Sequence, residues 1–267
     1  MASEAPSNPL PLFYNGLEPL SSNLHPHHRA RQANEAPFLA TAHAIPITVD
    51  EFVSTQRYMP IVFSSGLKPV PLALMGLNEG VNVFIDAEGK LINNETYVPA
   101  YVRRYPFMLA RLKPDAEELS LCFDPTSGLV GEFDEGTALF EDGKPSEATS
   151  AILKFCEEFE MSAQRTVSFV NELKTMDLLM EGEVSIQPTG AEQPFIYRGF
   201  QMVNEEKLRD LGADELEKMN KNGMLPLIYA HLFSMSLVRE IFARQIQQGK
   251  GPQVPGLGAA APAAGNA

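Results

Sequence analysis

Cysteine is scarce in this 267-residue chain, which carries only Cys122 and Cys156. Both fall inside candidate elements, a strand and a helix, and read as small buried hydrophobes of a reducing compartment. A Cys122–Cys156 bridge stays open on sequence grounds. Hydrophobic residues make up 44% of the chain and charged residues 21%, so a sizeable core needs neither disulfide nor structural metal. Also missing is any apolar run approaching the roughly 18 residues of a membrane span, which predicts no transmembrane helix. The first nine residues lack the basic and apolar regions of a Sec signal. The expected location is therefore the cytoplasm, with the cell surface, reached by a route needing no signal, as the alternative.

Positive charge is in short supply as well. Lys and Arg total 21 against 34 Asp and Glu, a formal net charge of −13. The imbalance is local: between Asp115 and Glu160 thirteen acids face two lysines, leaving −11 on that stretch. Such a field repels phosphate backbones and anionic headgroups, so no nucleic-acid partner is expected. Catalytic signatures are absent too, with no GxGxxG, Walker A, GxSxG, CxxC or HExxH string. Asp86-Ala-Glu-Gly-Lys places its glycine too early for an EF-hand loop. No reaction, cofactor or metal is named by these residues.

The length allows one core or two intimately packed lobes. Residues 1–12 read as a flexible start, 13–248 as a single compact α+β domain, and 249–267 as a disordered Ala/Gly/Pro tail. The first half is sheet-rich. Extended runs are predicted over Met59–Ser64, Val70–Leu77 and Leu119–Phe123, and a hairpin over Val81–Ile85 and Leu91–Asn93 with Gly89 in its turn. Thr48 and Glu51 have the spacing of a capping box. The second half is mainly helical. Ile152, Phe155, Cys156, Phe159, Ala163, Val167, Val170 and Leu173 recur at helical spacing from a Ser146 cap. Phe195–Val203 is a strand, Asn204 opens a short helix, and Asp214 with Glu217 suggests a second capping box. A last helix starting near Pro226 is predicted to bury Leu225, Ile228, Tyr229, Leu232, Met235, Val238 and Phe242.

Three groups could carry chemistry. His25-Pro-His27-His28 is the densest cluster of potential ligands, but a metal centre needs ligands from elsewhere in the fold, so solvated or structural imidazoles are the preferred reading. Tyr101-Val-Arg103-Arg104-Tyr105 is an aromatic-flanked pair of guanidiniums able to grip a carboxylate or phosphate. The acids just downstream make an internal salt bridge the preferred use of that pair. His231, on an apolar helix, fits a satisfied core histidine better than a general base. The acidic pairs Asp134-Glu135, Glu141-Asp142 and Glu157-Glu158 read as solvated.

Some strings are distinctive as strings. Pro71-Leu-Ala-Leu-Met-Gly-Leu, Pro99-Ala-Tyr-Val-Arg-Arg-Tyr-Pro-Phe107, Leu121-Cys-Phe-Asp124, Val203-Asn-Glu-Glu-Lys-Leu208 and Ile228-Tyr-Ala-His-Leu232 follow one another in an order that resembles the bacterial SapC family, over about 200 residues. The resemblance transfers no catalytic residues. It implies an accessory or structural protein acting through a protein partner or self-association, with a surface-layer or nutrient-uptake connection. A halogenase-like enzyme or an outer-membrane uptake system is the implied associate. The alternative is an enzyme or small-ligand binder whose anion or metal site gathers His28, Arg103, Arg104, Tyr105 and His231.

Overall fold

The computed structural model describes residues 10–33, 35–112, 118–187 and 193–251. Residues 1–9 of the expected flexible start and 252–267 of the expected tail lie outside them. The first half holds strands β1 (Glu18–Pro19), β2 (Arg29–Ala30), β3 (Ala44–Pro46), helix α1 (Phe52–Thr55), β4 (Ile61–Ser64), β5 (Pro71–Leu74) and α2 (Ala100–Arg103). It continues with β6 (Phe107–Ala110), β7 (Ser120–Phe123), β8 (Val130–Gly131), β9 (Thr137–Ala138), β10 (Phe140–Glu141) and β11 (Lys144–Pro145). The long helix α3 (Glu147–Thr175) precedes β12 (Leu179–Ile186) and β13 (Phe195–Val203). Helices α4 (Glu205–Arg209), α5 (Ala213–Lys221), α6 (Met224–Ser234) and α7 (Val238–Gln247) complete the order. The class is α+β, sheet-rich first and helical after, as the sequence predicts. Contacts group the chain into two compact units, Met1–Asn34 with Val102–Met161 and Glu35–Tyr101 with Ser162–Ala267.

The first unit is built from short antiparallel pieces. Its sheets run β1-β7-β6 and β8-β2-β9, beside the β10–β11 hairpin. Phe107, Leu109, Phe123, Val130, Leu139 and Cys156 form its buried cluster. Cys122 and Cys156 are free and buried, and burial pushes both thiols up to about 11, so they stay protonated hydrophobes. Ser146 caps α3, its Oγ accepting the Thr149 N–H at 3.2 Å while donating to the Ala138 carbonyl at 2.7 Å.

The second unit centres on a five-stranded antiparallel sheet, β12-β13-β4-β5-β3. Phe52, Phe63 and Phe169 meet beneath it, Phe52 and Phe169 edge to face at 5.9 Å. Burying each such ring contributes about 1.5–3 kcal/mol. The Thr48–Glu51 capping box forms as predicted, and Val49 N–H also donates to Thr166 Oγ1 on α3 at 2.9 Å.

Several local expectations change. The Val81–Asn93 hairpin reduces to one bridge, Ile85 to Leu91, because loop hydrogen bonds replace a ladder there. Helix α5 starts earlier than Asp214. Gly212 is its cap and Glu215, rather than Glu217, accepts the cap N–H at 3.0 Å. Strand β12 is unpredicted, since Gly182 interrupts a weak alternation. That glycine is a packing requirement: a Cβ there would lie 2.1–2.7 Å from the Phe200 ring. Gly182→Ala should therefore cost about 1–3 kcal/mol, read as a lowered urea midpoint. An unchanged midpoint would mean that the ring turns aside freely. β12 is a sheet edge with a register shift between Gly182 and Val184, and its Glu183 pairs with Arg198 of β13 at 2.6 Å.

At the C-terminal end α6 and α7 are joined by a short 3-10 turn, Met235–Leu237. Ile228, Val238 and Phe242 are buried as expected, but Tyr229 turns outward. Met224, Ala230, His231, Ser234 and Ile241 are buried in addition. The run Met224–Gln247 is long and apolar enough to cross a membrane by length and composition, with mean hydropathy 1.2 in an 18-residue window. Of that window 39% is buried inside the protein, and length and composition are all that mark it as a candidate span.

Candidate functional site

The aromatic-flanked guanidinium pair divides its labour within the first unit. Arg103 is exposed at the end of α2, its guanidinium 5.2 Å from the Phe155 ring centre. Arg104 is buried. Its Nη1 lies 3.5 Å from Glu160 Oε1, and its guanidinium sits 4.2 Å over Phe159 and 6.0 Å from Tyr14. Phe159 and Glu160 are one turn further along α3 than Phe155 and Cys156, so a single helix supplies both the carboxylate and the ring. Burial raises the Glu160 carboxyl above its ordinary value, and Arg104 opposes that rise. The preferred internal salt bridge is thus what Arg104 makes.

Tyr105 packs edge-on against Tyr14 and Phe13. Burial, then the Asp124 carboxylate with its hydrogen bond, raise the Tyr105 phenol. Asp124 is fully buried. Burial pushes its carboxyl up, but N–H groups of Asn15, Thr126 and Gly16 outweigh this and hold it below the usual carboxylate range. The carboxylate therefore works as an anchor for residues 15–16 rather than as a proton donor.

The imidazole cluster splits in the same way. His25 is buried, its Nδ1 accepting the Ser21 N–H at 3.2 Å, with its ring 4.6 Å from His28 and 5.2 Å from Phe123. His28 is half-buried, and its Nδ1 is buried without a hydrogen-bond partner. Burial, then the neighbouring His25, lower its pKa, while Glu132 and Glu18 oppose the fall. His27 and His28 line a cleft of about 420 Å³ with Arg29, Glu132, Asp134 and Phe140. Among the described residues no group of three His, Cys, Asp or Glu side chains is placed to hold a metal ion.

His231 belongs to the core of the second unit. Its ring is fully buried, and Nε2 accepts the Val203 N–H at 3.1 Å. Nδ1 must then carry the proton and donate to the Ile61 carbonyl, 2.7 Å away. The neighbouring Ser234 accepts the Ile61 N–H at 2.8 Å and donates to the His231 carbonyl at 2.6 Å. Strands β13 and β4 pair at Phe200–Ser64 and Gln201–Phe63. Continued in step, that register would set Val203 opposite Ile61. The imidazole occupies that rung and replaces a backbone hydrogen bond with two of its own. Both ring nitrogens are consumed inside the second unit, while His28, Arg103, Arg104 and Tyr105 lie in the first.

A model of the SapC family matches residues 20–241. The chain belongs to the SapC family. No curated protein and no solved structure matches it. The SapC match takes in every candidate named above, from His25 to His231.

Two heavily bonded polar groups, Glu51 inside the SapC match and Gln245 just beyond it, are ones that local sequence does not announce. Glu51 exceeds its capping role, because Oε1 also accepts from Ala100 N–H at 2.6 Å and Tyr97 OH at 3.1 Å. Gln245 accepts the Leu77 N–H at 2.7 Å and donates to Asn78 and Lys250. Their partners lie 49 and 168 residues away, a separation no local motif encodes. Glu132 and Asp134 of the cleft look like ordinary solvated acids in sequence, and only the pairing of β2 with β8 brings them beside His28 and Arg29.

Proposed function

We propose that this SapC protein is a non-enzymatic accessory or structural protein that works through protein–protein contacts, docking by the outward face of α6. The observation that carries the reading is a stripe of Pro226, Tyr229 and Phe233, all exposed, with the two rings stacked at 5.8 Å. Phe233 keeps 67% of its surface open. From Met224 to Val238 the chain holds no Asp, Glu, Lys or Arg, so this face is free of the charge that dominates the rest. Large aromatic side chains on an uncharged surface are the usual centre of a protein interface. The family resemblance supplies the expected associate, a halogenase-like enzyme or an outer-membrane uptake system, and the missing Sec signal the expected setting, in the cytoplasm or, by a signal-independent route, at the cell surface.

Light scattering across a concentration series, with and without those purified partners, tests this. The wild type should gain mass by self-association or by complex formation, and Tyr229→Glu with Phe233→Glu should abolish the gain with an unchanged unfolding midpoint. A wild type that stays monomeric alone and with each partner would overturn it. A second reading, a small-ligand binder, rests on His28 at its cleft in the first unit.

A further inference from the structure

The cleft of the first unit is built by strand pairing. β2 is the central strand of its sheet, with Arg29 opposite Gly131 of β8 on one side and Ala138 of β9 on the other. Residues 27–29 therefore face the segment that leaves β8. That segment is held in place. Arg29 Nη1 donates to the Gly136 carbonyl at 2.7 Å, and the Arg31 guanidinium lies 3.6 Å over the Phe133 ring. Gly136, at φ 116°, approaches so closely that a Cβ would sit 2.7 Å from the Ala30 carbonyl oxygen. Glu132 and Asp134 are thereby fixed across from Arg29, His27 and His28.

The charges on the two walls feel each other, Glu132 acting on His28 through space, but are not joined in a salt bridge. Among the described residues, Arg29, His27 and His28 make no ion pair within bonding range with Glu132 or Asp134. His28 also lines this wall, with its Nδ1 buried behind the surface and without a hydrogen-bond partner. A metal ion would need three ligands that the described residues do not gather. A neutral polyol would answer neither charge. What satisfies both walls is one small molecule with an anion at one end and an ammonium at the other. A volume of about 420 Å³ suits such a size, being near the lower end of ligand pockets.

We propose that this cleft binds a dipolar molecule of amino-acid or dipeptide size, its carboxylate toward Arg29 and His28 and its protonated amine toward Glu132 and Asp134, with Phe140 bordering the remainder.

Isothermal titration calorimetry on the full chain tests it with glycyl-phenylalanine, its N-acetylated form and its C-terminal amide. Losing one charge-assisted contact should weaken binding about tenfold or more, so both blocked forms should bind at least that much worse than the free dipeptide. Glu132→Gln with Asp134→Asn, both exposed positions, should weaken the free dipeptide to the level of the N-acetylated one while leaving the unfolding midpoint unchanged. Free phenylalanine binding as well as the dipeptide would support the amino-acid end of the size range. No binding of any of these probes at millimolar concentration, or equal binding of free and blocked forms, would overturn the proposal. So would a double variant that binds like the wild type.

Discussion

His231→Ala is expected to lower folding stability by about 3–5 kcal/mol. The substitution strands the Val203 N–H and the Ile61 carbonyl, each costing about 1–3 kcal/mol when buried without a partner, and leaves a cavity beside Phe63, whose ring centre is 5.1 Å from the imidazole. His231→Gln should recover much of the loss, because a primary amide offers one acceptor and one donor with the polarity of the missing peptide rung. Acid provides a separate reading of the same residue. Burial lowers the His231 pKa from 6.5 to about 4, against the opposing pull of the Ile61 hydrogen bond. Below pH 6.5 the unfolded chain takes up a proton that the folded protein refuses until about pH 4. Stability contributed by the neutral ring is therefore present above pH 6.5 and is lost as pH falls between these values, by about 3 kcal/mol at 1.36 kcal/mol per unit. Urea unfolding between pH 4 and 8 should show that slope in the wild type and its removal in His231→Gln. A slope that persists in the variant would assign the acid sensitivity to another group.

The second large effect is expected at Glu51. Four donors converge on its carboxylate: Thr48 N–H at 2.8 Å, Thr48 Oγ1 at 2.9 Å, Tyr97 OH and Ala100 N–H. Glu51→Ala removes every acceptor at once and should cost about 3–5 kcal/mol, since the backbone donors of Thr48 and Ala100 are buried. Glu51→Gln keeps one carbonyl oxygen but turns the other acceptor into a donor facing Ala100 or Thr48, so it should recover only part. Tyr97→Phe should cost far less, about 1 kcal/mol, as one hydrogen bond at the rim of the network. Thermal or urea unfolding of the three variants gives the order, and an alanine variant as stable as Tyr97→Phe would refute the shared-acceptor account.

What was legible in the sequence was whatever depends on near neighbours. The Ser146 cap, the Thr48–Glu51 box, the Asn204 cap and strand β13 are set by residues within a turn or two, and they form where the pattern puts them. The α3 stripe does so except at Val167, which is exposed while Phe169 is buried in its stead. Arg104 was readable as an internal ion pair from the excess of acids downstream, though not its particular partner Glu160, which follows only at the far end of that stretch. Distant closures were not readable. Nothing near Glu51 points to Ala100, and nothing near His231 shows that its ring spans two strands. Strand β12 stayed hidden because Gly182 weakens it, and the reason for the glycine, the Phe200 ring, lies on another strand. Tyr229 was misplaced for a related reason. An aromatic residue fits a buried stripe by periodicity, while the polar trio His231, Ser234 and Gln245 takes the inner face through bonds to the sheet and to the Leu77–Asn78 loop. The cleft escaped a reading by motif altogether, since its opposing walls come from β2 and from the segment after β8.

The edge position of β12 bears on how this protein behaves when concentrated. A long outermost strand is an open template for stacking one chain on the next, the first step toward a fibre. Here the strand is broken in step at Gly182–Val184 and carries Glu181 and Glu183, so an incoming strand would meet a kink and two carboxylates instead of a flat ladder. Crowding should therefore not join these molecules along the sheet, an association that would propagate without limit.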